Sequence, residues 1–174
     1  MHIESVLAMC EVTQRHFLKE REAKRILLDF SRKIKADSKQ LFGSKPRIEL
    51  AETQAAEVLF INGRPLLARF CGRLLPTLAF DELLFILPKI VVDIGAVPHI
   101  CDGADVMAPG VVRIHGDFNK NDLILVVDER YGKSLAIGVA LLNLQTMRSL
   151  KKGKVVKNIH HVSDKLWKFI KTFT

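Results

Sequence analysis

The stretch that decides the fold of this chain is Gly95-Ala96-Val97-Pro98-His99-Ile100-Cys101-Asp102-Gly103-Ala104-Asp105-Val106-Met107-Ala108-Pro109-Gly110-Val111. Gly103 and Gly110 bracket a short apolar segment, and glycine allows a backbone to turn sharply or another backbone to approach closely. Short β-type runs punctuated by glycine continue after it, which is typical of a small barrel or sandwich. The sequence therefore predicts a β-rich domain in the second half of the chain.

Six strands are predicted in that half, separated by turn residues. They cover residues 90–93, 106–107, 123–128, 134–142, 155–160 and 165–169. Between the fourth and the fifth strand, Asn143 is predicted to cap a helix that runs to about Lys151, with its lysines at the favourable end of the helix dipole.

The first half of the chain has the pattern of a small α+β unit. Apolar side chains at helical spacing predict a helix over residues 17–34, and residues 77–84 predict a short helix closed by Pro88. Between two apolar runs, Asn62-Gly63 predicts a β-hairpin, because this dipeptide accepts the positive φ angles of a two-residue turn. We therefore expect an α+β protein with two domains, residues 1–88 and residues 89–174.

Composition limits the class of protein. The chain has 174 residues, of which 48% are hydrophobic and 26% are charged. This balance supports real hydrophobic cores and excludes a wholly disordered chain. Apolar stretches are shorter than the ~20 residues of a membrane span, and the first residues lack the pattern of a secretory signal. We therefore expect a cytoplasmic protein without a membrane partner.

The cysteines and histidines do not form a metal-binding pattern. Cys10, Cys71 and Cys101 are an odd number, at spacings that match neither a disulfide framework nor a zinc knuckle, so we expect reduced thiols. His99 with Cys101 and the pair His160-His161 provide fewer ligands than the three or four that zinc requires. The sequence predicts no metal and no other cofactor.

Positive charge is concentrated near the C-terminus. The net charge is +8, and residues 148–171 hold eight basic residues against the single acid Asp164. Such a cluster attracts polyanions, most often nucleic-acid phosphates and less often acidic lipids, although a solvated basic face without a ligand is the alternative.

The sequence contains no catalytic motif of the nucleophile-elbow, zinc-protease or phosphate-loop type. Asp102 and Asp105 flank the glycine-bounded loop and are candidates for general bases, but acids in turns usually accept hydrogen bonds from backbone amides. We therefore expect a protein that is not an enzyme.

Several pieces of the second half resemble the PUA domain, an RNA-binding pseudo-barrel. The first is an acid followed by Gly-Ala, a short helix, a second Gly-Ala and Pro-Gly-Val, which here spans residues 93–111. Residues 121–127 are similar to the family's Asp-opened strand, and residues 136–140 are similar to its glycine-centred strand. The resemblance covers residues 90–170 and implies a PUA-type β pseudo-barrel.

The whole chain is similar to the malignant-T-cell-amplified-sequence family of translation factors, in an archaeal branch. The resemblance is carried by residues 59–66, 75–78, 85–88, 157–161 and 164–167, which occur in the family's order. It implies action at the small ribosomal subunit, in initiator-tRNA recruitment or in recycling. The first 40 residues match only as a helical pattern, so a counterpart of density-regulated protein, the partner of eukaryotic relatives, is left open.

The resemblance also implies an RNA-binding face. Carried onto this chain, its loop and short strand are Gly103, Ala104, Asp105, Val106, Met107, Pro109 and Gly110, and the opposite side is Leu166, Trp167 and Lys168. Positive charge for the approach of RNA comes from Lys151, Lys152, Lys154 and Lys157.

We expect a non-catalytic RNA-binding protein of translation that binds the acceptor end of tRNA or small-subunit rRNA. Two alternatives stay open at this point. One is an accessory protein of tRNA or rRNA modification. The other is an adaptor that docks an initiation factor or another translation-factor partner through the N-terminal domain, around Leu66, Leu67 and Phe70.

Overall fold

The computed structural model describes residues 12–53, 56–70 and 72–174, which form two compact units. The first unit ends at Phe80 and includes Lys168–Thr174, and the second unit spans Asp81–Trp167. These units differ from the expected domains 1–88 and 89–174 at residues 81–88 and at the last seven residues. The domain boundary near Pro88 stays a prediction.

Within the described ranges, the first unit contains a five-stranded antiparallel sheet whose strands are neighbours in chain order. Its elements are β1 (Val12–Phe17), α1 (Glu20–Ile34), α2 (Ser38–Phe42), β2 (Ile48–Thr53), β3 (Glu57–Ile61), β4 (Arg64–Phe70) and β5 (Arg73–Pro76).

Helix α1 packs one apolar face into the core of this unit. The helix begins at Glu20 and not at the expected Phe17, because Phe17 ends strand β1. It ends before Lys35, which takes a left-handed φ of 55°. Phe30 of α1 lies 6.2 Å from the ring of Phe42, measured between ring centroids. The predicted helix is therefore confirmed, with a later start.

The predicted hairpin is confirmed as β3 and β4. Asn62 and Gly63 have φ angles of 52° and 83°, which the two-residue turn requires. Leu66 and Leu67 are only 4% and 0% exposed, because β4 is a central strand of the sheet. The expected docking face around Leu66, Leu67 and Phe70 is therefore wrong, since two of its three side chains lie in the core.

Among the residues described, the second unit contains a six-stranded sheet in the order β7-β11-β10-β9-β6-β8. Its pairs are antiparallel except for the parallel pair of β6 with β9. Its elements are α3 (Asp81–Ile86), β6 (Lys89–Val92), α4 (Val97–Cys101), β7 (Val106–Met107), β8 (Val111–His115), β9 (Leu123–Asp128), β10 (Ser134–Ala140), α5 (Leu144–Ser149), β11 (Lys154–His161) and the start of α6 (Lys165–Ile170).

Alternate residues of these strands form the core of the second unit. Ile90, Ile124 and Val126 are among the buried members, with exposures of 0%, 0% and 1%. The first five strands predicted for this half are confirmed within two residues at each end. The predicted helix is confirmed as α5, and the side chain of Asn143 accepts a hydrogen bond from the amide of Thr146.

The sixth predicted strand, residues 165–169, is wrong because this segment is helix α6. The carboxylate of Asp164 accepts a hydrogen bond from the amide of Trp167 at 2.6 Å, which caps the first turn. Leu166, Phe169 and Ile170 are buried, and their spacing of three and four residues puts them on one face of a helix.

In the part of the chain that the structure describes, no helix is long and apolar enough to cross a membrane. Over the same residues, no group of three or more histidine, cysteine or acidic side chains could hold a metal ion. Cys10 and Cys71 lie outside the described residues. Cys101 is a free, half-buried thiol, and burial raises its pKa.

Candidate nucleic-acid interface

The glycine-bounded loop, residues 103–110, lies between the end of α4 and strand β11. Gly103 takes a positive φ of 92°, and its amide donates a hydrogen bond to the carbonyl of Ile100 at the end of α4. On the other side, Met107 pairs with Lys154 of β11, and the amide of Ala108 donates to the carbonyl of Gly153 at 2.8 Å. The loop is therefore held at both ends by backbone hydrogen bonds.

Most of this loop faces solvent. Gly103, Ala104 and Pro109 are exposed, and the side chain of Met107 is 45% exposed. Val106 differs, because its side chain is 2% exposed and belongs to the core of the second unit. Of the loop residues expected to meet RNA, Val106 can therefore offer only its backbone.

Asp105 has a structural role in the loop. Its carboxylate accepts hydrogen bonds from Lys154 Nζ at 2.9 Å and from the amide of Asn158 at 3.0 Å. Burial by itself raises the pKa of this carboxyl, but these two hydrogen bonds and the charges of Lys154 and Lys157 outweigh it and hold the pKa below its ordinary value. A carboxylate held in this way is a poor general base, as expected for an acid in a turn.

Four lysines lie on β11 or on the segment before it. Lys154 is engaged by Asp105, although its side chain is still 62% exposed. Lys151, Lys152 and Lys157 are exposed, and within the described ranges their ammonium groups have no ion-pair or hydrogen-bond partner. The charge of Lys157 nevertheless acts on Asp105. These three ammonium groups, called the lysine cluster below, are the free positive charge beside the loop.

His161, a candidate metal ligand and part of the segment that carries the family resemblance, lies beside Gly103. An ideal Cβ on Gly103 would stand 3.1 Å from Nε2 of His161. Nδ1 of the same ring is 2.9 Å from the carbonyl oxygen of Val162, which can only accept, so the hydrogen-bond network assigns the proton to Nδ1. Nε2 of His161 therefore faces the bare backbone of the loop, and in the neutral ring it is the acceptor nitrogen. In the sequence, the only sign of a role for His161 at the loop was its place in a histidine pair at the end of a predicted strand.

The position of His161 limits which substitutions can test RNA binding by the loop. A valine at Gly103 would meet His161 and would also be strained by the positive φ. Such a variant perturbs the fold whether or not RNA binds there. Lysine substitutions on the exposed surface give the cleaner test of binding.

The three C-terminal residues of the expected site do not form a strand opposite the loop. Leu166 is 5% exposed and Trp167 is half-buried, both on helix α6. Lys168 belongs to the first compact unit, whereas the loop belongs to the second. The strand that pairs with the loop is β11. The participation of Leu166, Trp167 and Lys168 in a binding site stays a prediction.

Asp164 organises the segment between β11 and α6. Its Oδ2 lies 2.7 Å from Nδ1 of the buried His160 and accepts a hydrogen bond from the amide of His161 at 2.9 Å. Burial by itself raises the pKa of the Asp164 carboxyl. The hydrogen bond and attraction of His160, together with the amides of Trp167 and His161, outweigh burial and hold the pKa below its ordinary value.

A carboxyl with a lowered pKa stabilises the fold above the pKa of the unfolded chain, about 3.9, and this stability is lost as the pH falls through the lower folded pKa. We expect Asp164→Asn to lower the free energy of unfolding at pH 7 by about 2 kcal/mol, the scale of hydrogen bonds to a charged group. Urea unfolding from about pH 5 to about pH 2 should show this difference shrinking. Asp117→Asn, at an exposed acid, is the control, and a constant difference at Asp164 would contradict the assignment.

Two known families match separate parts of the chain. Residues 88–162 match the PUA domain family, and residues 14–80 match a domain of unknown function, DUF1947.

Relatives extend over most of the chain. An uncharacterized protein of Methanocaldococcus jannaschii is 35% identical over 162 residues, which are 91% of this chain and 98% of that protein. Translation machinery-associated protein 20 of Schizosaccharomyces pombe is 30% identical over 131 residues, 70% of this chain and 72% of that protein. Malignant T-cell-amplified sequence 1 of Rattus norvegicus is 30% identical over 116 residues, 64% of each chain.

Solved structures share the fold. The crystal structure of a hypothetical protein from Pyrococcus horikoshii is 33% identical to this chain, with a TM-score of 0.75, and the match covers 92% of this chain and 100% of that chain. A PUA domain structure from Aeropyrum pernix has a TM-score of 0.80 at 24% identity over 91% of each chain. The α+β class with a C-terminal PUA domain is confirmed.

Proposed function

Because this chain belongs to the family of the translation machinery-associated protein 20 and malignant T-cell-amplified sequence proteins, we propose that it is a non-catalytic RNA-binding protein that acts in translation. The observation that supports this most is an exposed loop with little side chain, held rigidly beside three unpaired lysines. Backbone amides at such a loop can approach a sugar-phosphate backbone, and lysines can neutralise its phosphates.

The RNA class follows from the shape of this surface. The side chains of the loop are mostly small, and they cannot reach the base edges of a duplex because the major groove of an RNA helix is deep and narrow. Unpaired ends and loops offer phosphates, 2′-hydroxyls and base faces, which a shallow surface can bind. We therefore propose the acceptor end of tRNA, or an exposed segment of small-subunit rRNA, as the ligand.

Equilibrium binding by the purified chain tests the proposal. We expect binding to deacylated tRNA and to isolated small ribosomal subunits at low salt, and weaker binding to tRNA whose acceptor end has been removed. Double-stranded DNA of equal length controls for charge alone. Crosslinking in cell extract, followed by sequencing of the attached RNA, identifies the natural ligand. Absence of affinity for transfer and ribosomal RNA even at very low salt would refute the proposal.

The non-catalytic part of the proposal has its own test. The two acids at the loop differ, because Asp102 is exposed whereas Asp105 is held by Lys154 and Asn158. Incubation with bulk tRNA and each common group donor, followed by nucleoside analysis, should yield no new modified nucleoside. A modified product would favour the RNA-modification alternative.

A second candidate function is the binding of a protein partner by the first unit. The surface differs from the expected one around Leu66, Leu67 and Phe70. A groove of about 750 Å³ runs between α1, α2 and the start of β2. Phe17 and Leu28 line it and are 56% and 38% exposed, and Lys24, Lys39 and Arg47 also line it. We propose that an apolar segment flanked by acids, from a translation factor, docks in this groove.

A further inference from the structure

The turn between β9 and β10, residues 128–133, presents an aromatic ring with two cations near it. Tyr131 is 66% exposed. The guanidinium carbon of Arg130 lies 5.0 Å from the centroid of its ring, and Nζ of Lys133 lies 5.6 Å from the same centroid. We call residues 128–133 the aromatic turn. Its residues Tyr131, Arg130 and Lys133 belong neither to the glycine-bounded loop nor to the lysine cluster.

The aromatic turn is held in one conformation by Asp128. The carboxylate of this residue, which is 5% exposed, accepts hydrogen bonds from the amides of Arg130, Tyr131 and Lys133 at 2.9, 2.6 and 2.8 Å. The amide of Asp128 also donates to the carbonyl of Lys133, and the amide of Gly132 donates to the carbonyl of Asp128. A turn ordered in advance loses little conformational entropy when a ligand binds.

The ionised form of Asp128 is the form that can accept all three amides. The hydrogen bond from the Tyr131 amide lowers the pKa of this carboxyl most. Burial opposes it, and the amides of Lys133 and Arg130 with the charge of Lys133 add to the lowering. The turn therefore keeps its geometry at neutral pH.

The chemistry of the turn favours RNA. An exposed aromatic ring stacks on any base, and adjacent cations neutralise the phosphates on either side of that base. A neighbouring groove of about 420 Å³ is lined by Arg113 and His115 but also by Asp81 and Glu129. Its charge is mixed, so the phosphate contacts are assigned to Arg130 and Lys133 and not to the groove.

The register of the sheet gives the distance from the lysine cluster. Lys157 of β11 pairs with Val139 near one end of β10, and the aromatic turn precedes Ser134 at the other end. At about 3.3 Å per residue, the two positions are roughly 17 to 20 Å apart along β10. With a rise of about 3.4 Å per nucleotide along the axis of a stacked strand, five or six nucleotides span this distance.

We propose that the aromatic turn is a second RNA contact, at which an unpaired base stacks on Tyr131 while Arg130 and Lys133 bind the flanking phosphates. This inference rests on the proposed function and adds a site at the far end of β10. It requires an RNA segment long enough to reach both contacts.

Stacking is tested with fluorescence anisotropy of a labelled single-stranded RNA of about 12 nucleotides, within the usual site sizes of such proteins. We expect Tyr131→Ala to weaken binding on the order of tenfold, the scale of one base–aromatic stack, and Tyr131→Phe to bind like the natural chain. Phe85→Ala is the matched control, because Phe85 is 79% exposed and also carries a lysine near its ring. Equal binding by Tyr131→Ala, or equal loss with Tyr131→Phe, would overturn the proposal.

Charge and length give independent readouts. Arg130→Ala with Lys133→Ala should reduce the magnitude of the log–log salt slope by about 1.4, from ~0.7 per phosphate contact. A trinucleotide is too short to reach both contacts. When it binds at the lysine cluster, Tyr131→Ala and the natural chain should bind it equally. If the natural chain binds no RNA, the proposed function fails. If it binds RNA and responds to the lysine cluster but not to Tyr131, Arg130 or Lys133, only this inference fails.

Discussion

Replacing Lys151, Lys152 and Lys157 with alanine should flatten the salt dependence of RNA binding from a log–log slope of about −3 to about −1. The first value corresponds to about four phosphate contacts at the loop and its lysines, at ~0.7 per charge, and the change corresponds to the loss of three of them. Contacts at the aromatic turn would steepen both slopes by the same amount. Between 50 and 200 mM salt the natural chain should lose about 60-fold in affinity, and the variant about fourfold. The measurement is a set of equilibrium titrations with tRNA across this range of salt.

Lys154 is left unchanged in this variant because of its contact with Asp105. Removing it would take away one of the two hydrogen bonds that the Asp105 carboxylate accepts, so a change in binding could come from the loop itself. Lys24, Lys33 and Lys39, exposed on the first unit, are a control set with the same change in charge. A steep slope in the triple variant, or an equal change in the control set, would show that the lysine cluster is not the contact.

Gly138→Ala should be among the most destabilising single substitutions in the chain, lowering the free energy of unfolding by about 3 kcal/mol, at the upper end of what overpacking costs. A Cβ at Gly138 would overlap Cγ1 of Val156 and would stand 2.6 Å from the carbonyl oxygen of Lys157. Backbone of β11 cannot move aside without breaking its pairing with β10. The φ of Gly138 is not in the left-handed region, so the effect is steric.

Urea unfolding followed by far-ultraviolet circular dichroism measures this effect. Gly132→Ala is the matched control, because Gly132 has open space around its Cα and a φ of 64°, so it pays only the backbone cost of about 1 kcal/mol. Gly138→Ala should unfold at a clearly lower urea concentration than Gly132→Ala. Equal midpoints would mean that β11 accommodates the added methyl group.

Local sequence patterns predicted the elements that lie next to clear turn residues. The Asn62-Gly63 hairpin and the strands around Ile124 and Ile137 combine turn residues with short apolar runs, and these runs are buried almost continuously. Strand β8 was not predicted, because Val112, Arg113 and His115 are exposed and give it no apolar alternation. These side chains are exposed because β8 is an edge strand of the sheet. The position of a strand in its sheet cannot be inferred from a few neighbouring residues of sequence.

The segment 165–170 was misassigned for a related reason. Lysines alternating with Leu166, Trp167 and Phe169 fit a strand and also one turn of a helix, since short apolar runs have no unique period. Asp164 decides between them by capping the amide of Trp167. The sequence contains this aspartate, but only the folded chain shows that its carboxylate is turned toward the helix and toward His160.

The features of the candidate site also fall into those that the sequence predicted and those that only the folded structure revealed. The amino-acid sequence by itself determined the glycine-bounded loop, the lysines of residues 151–157 and the kind of domain that holds them, because turn residues, charge and apolar period act over a few neighbouring positions. Tertiary structure alone decided that Lys154 is held by Asp105, that His161 faces Gly103 and that Asp128 fixes a turn carrying Tyr131. The first two contacts join residues about fifty to sixty positions apart, which strand pairing brings together. The third joins near neighbours, and there too a hydrogen bond forms only where the fold brings donor and acceptor within about 3 Å.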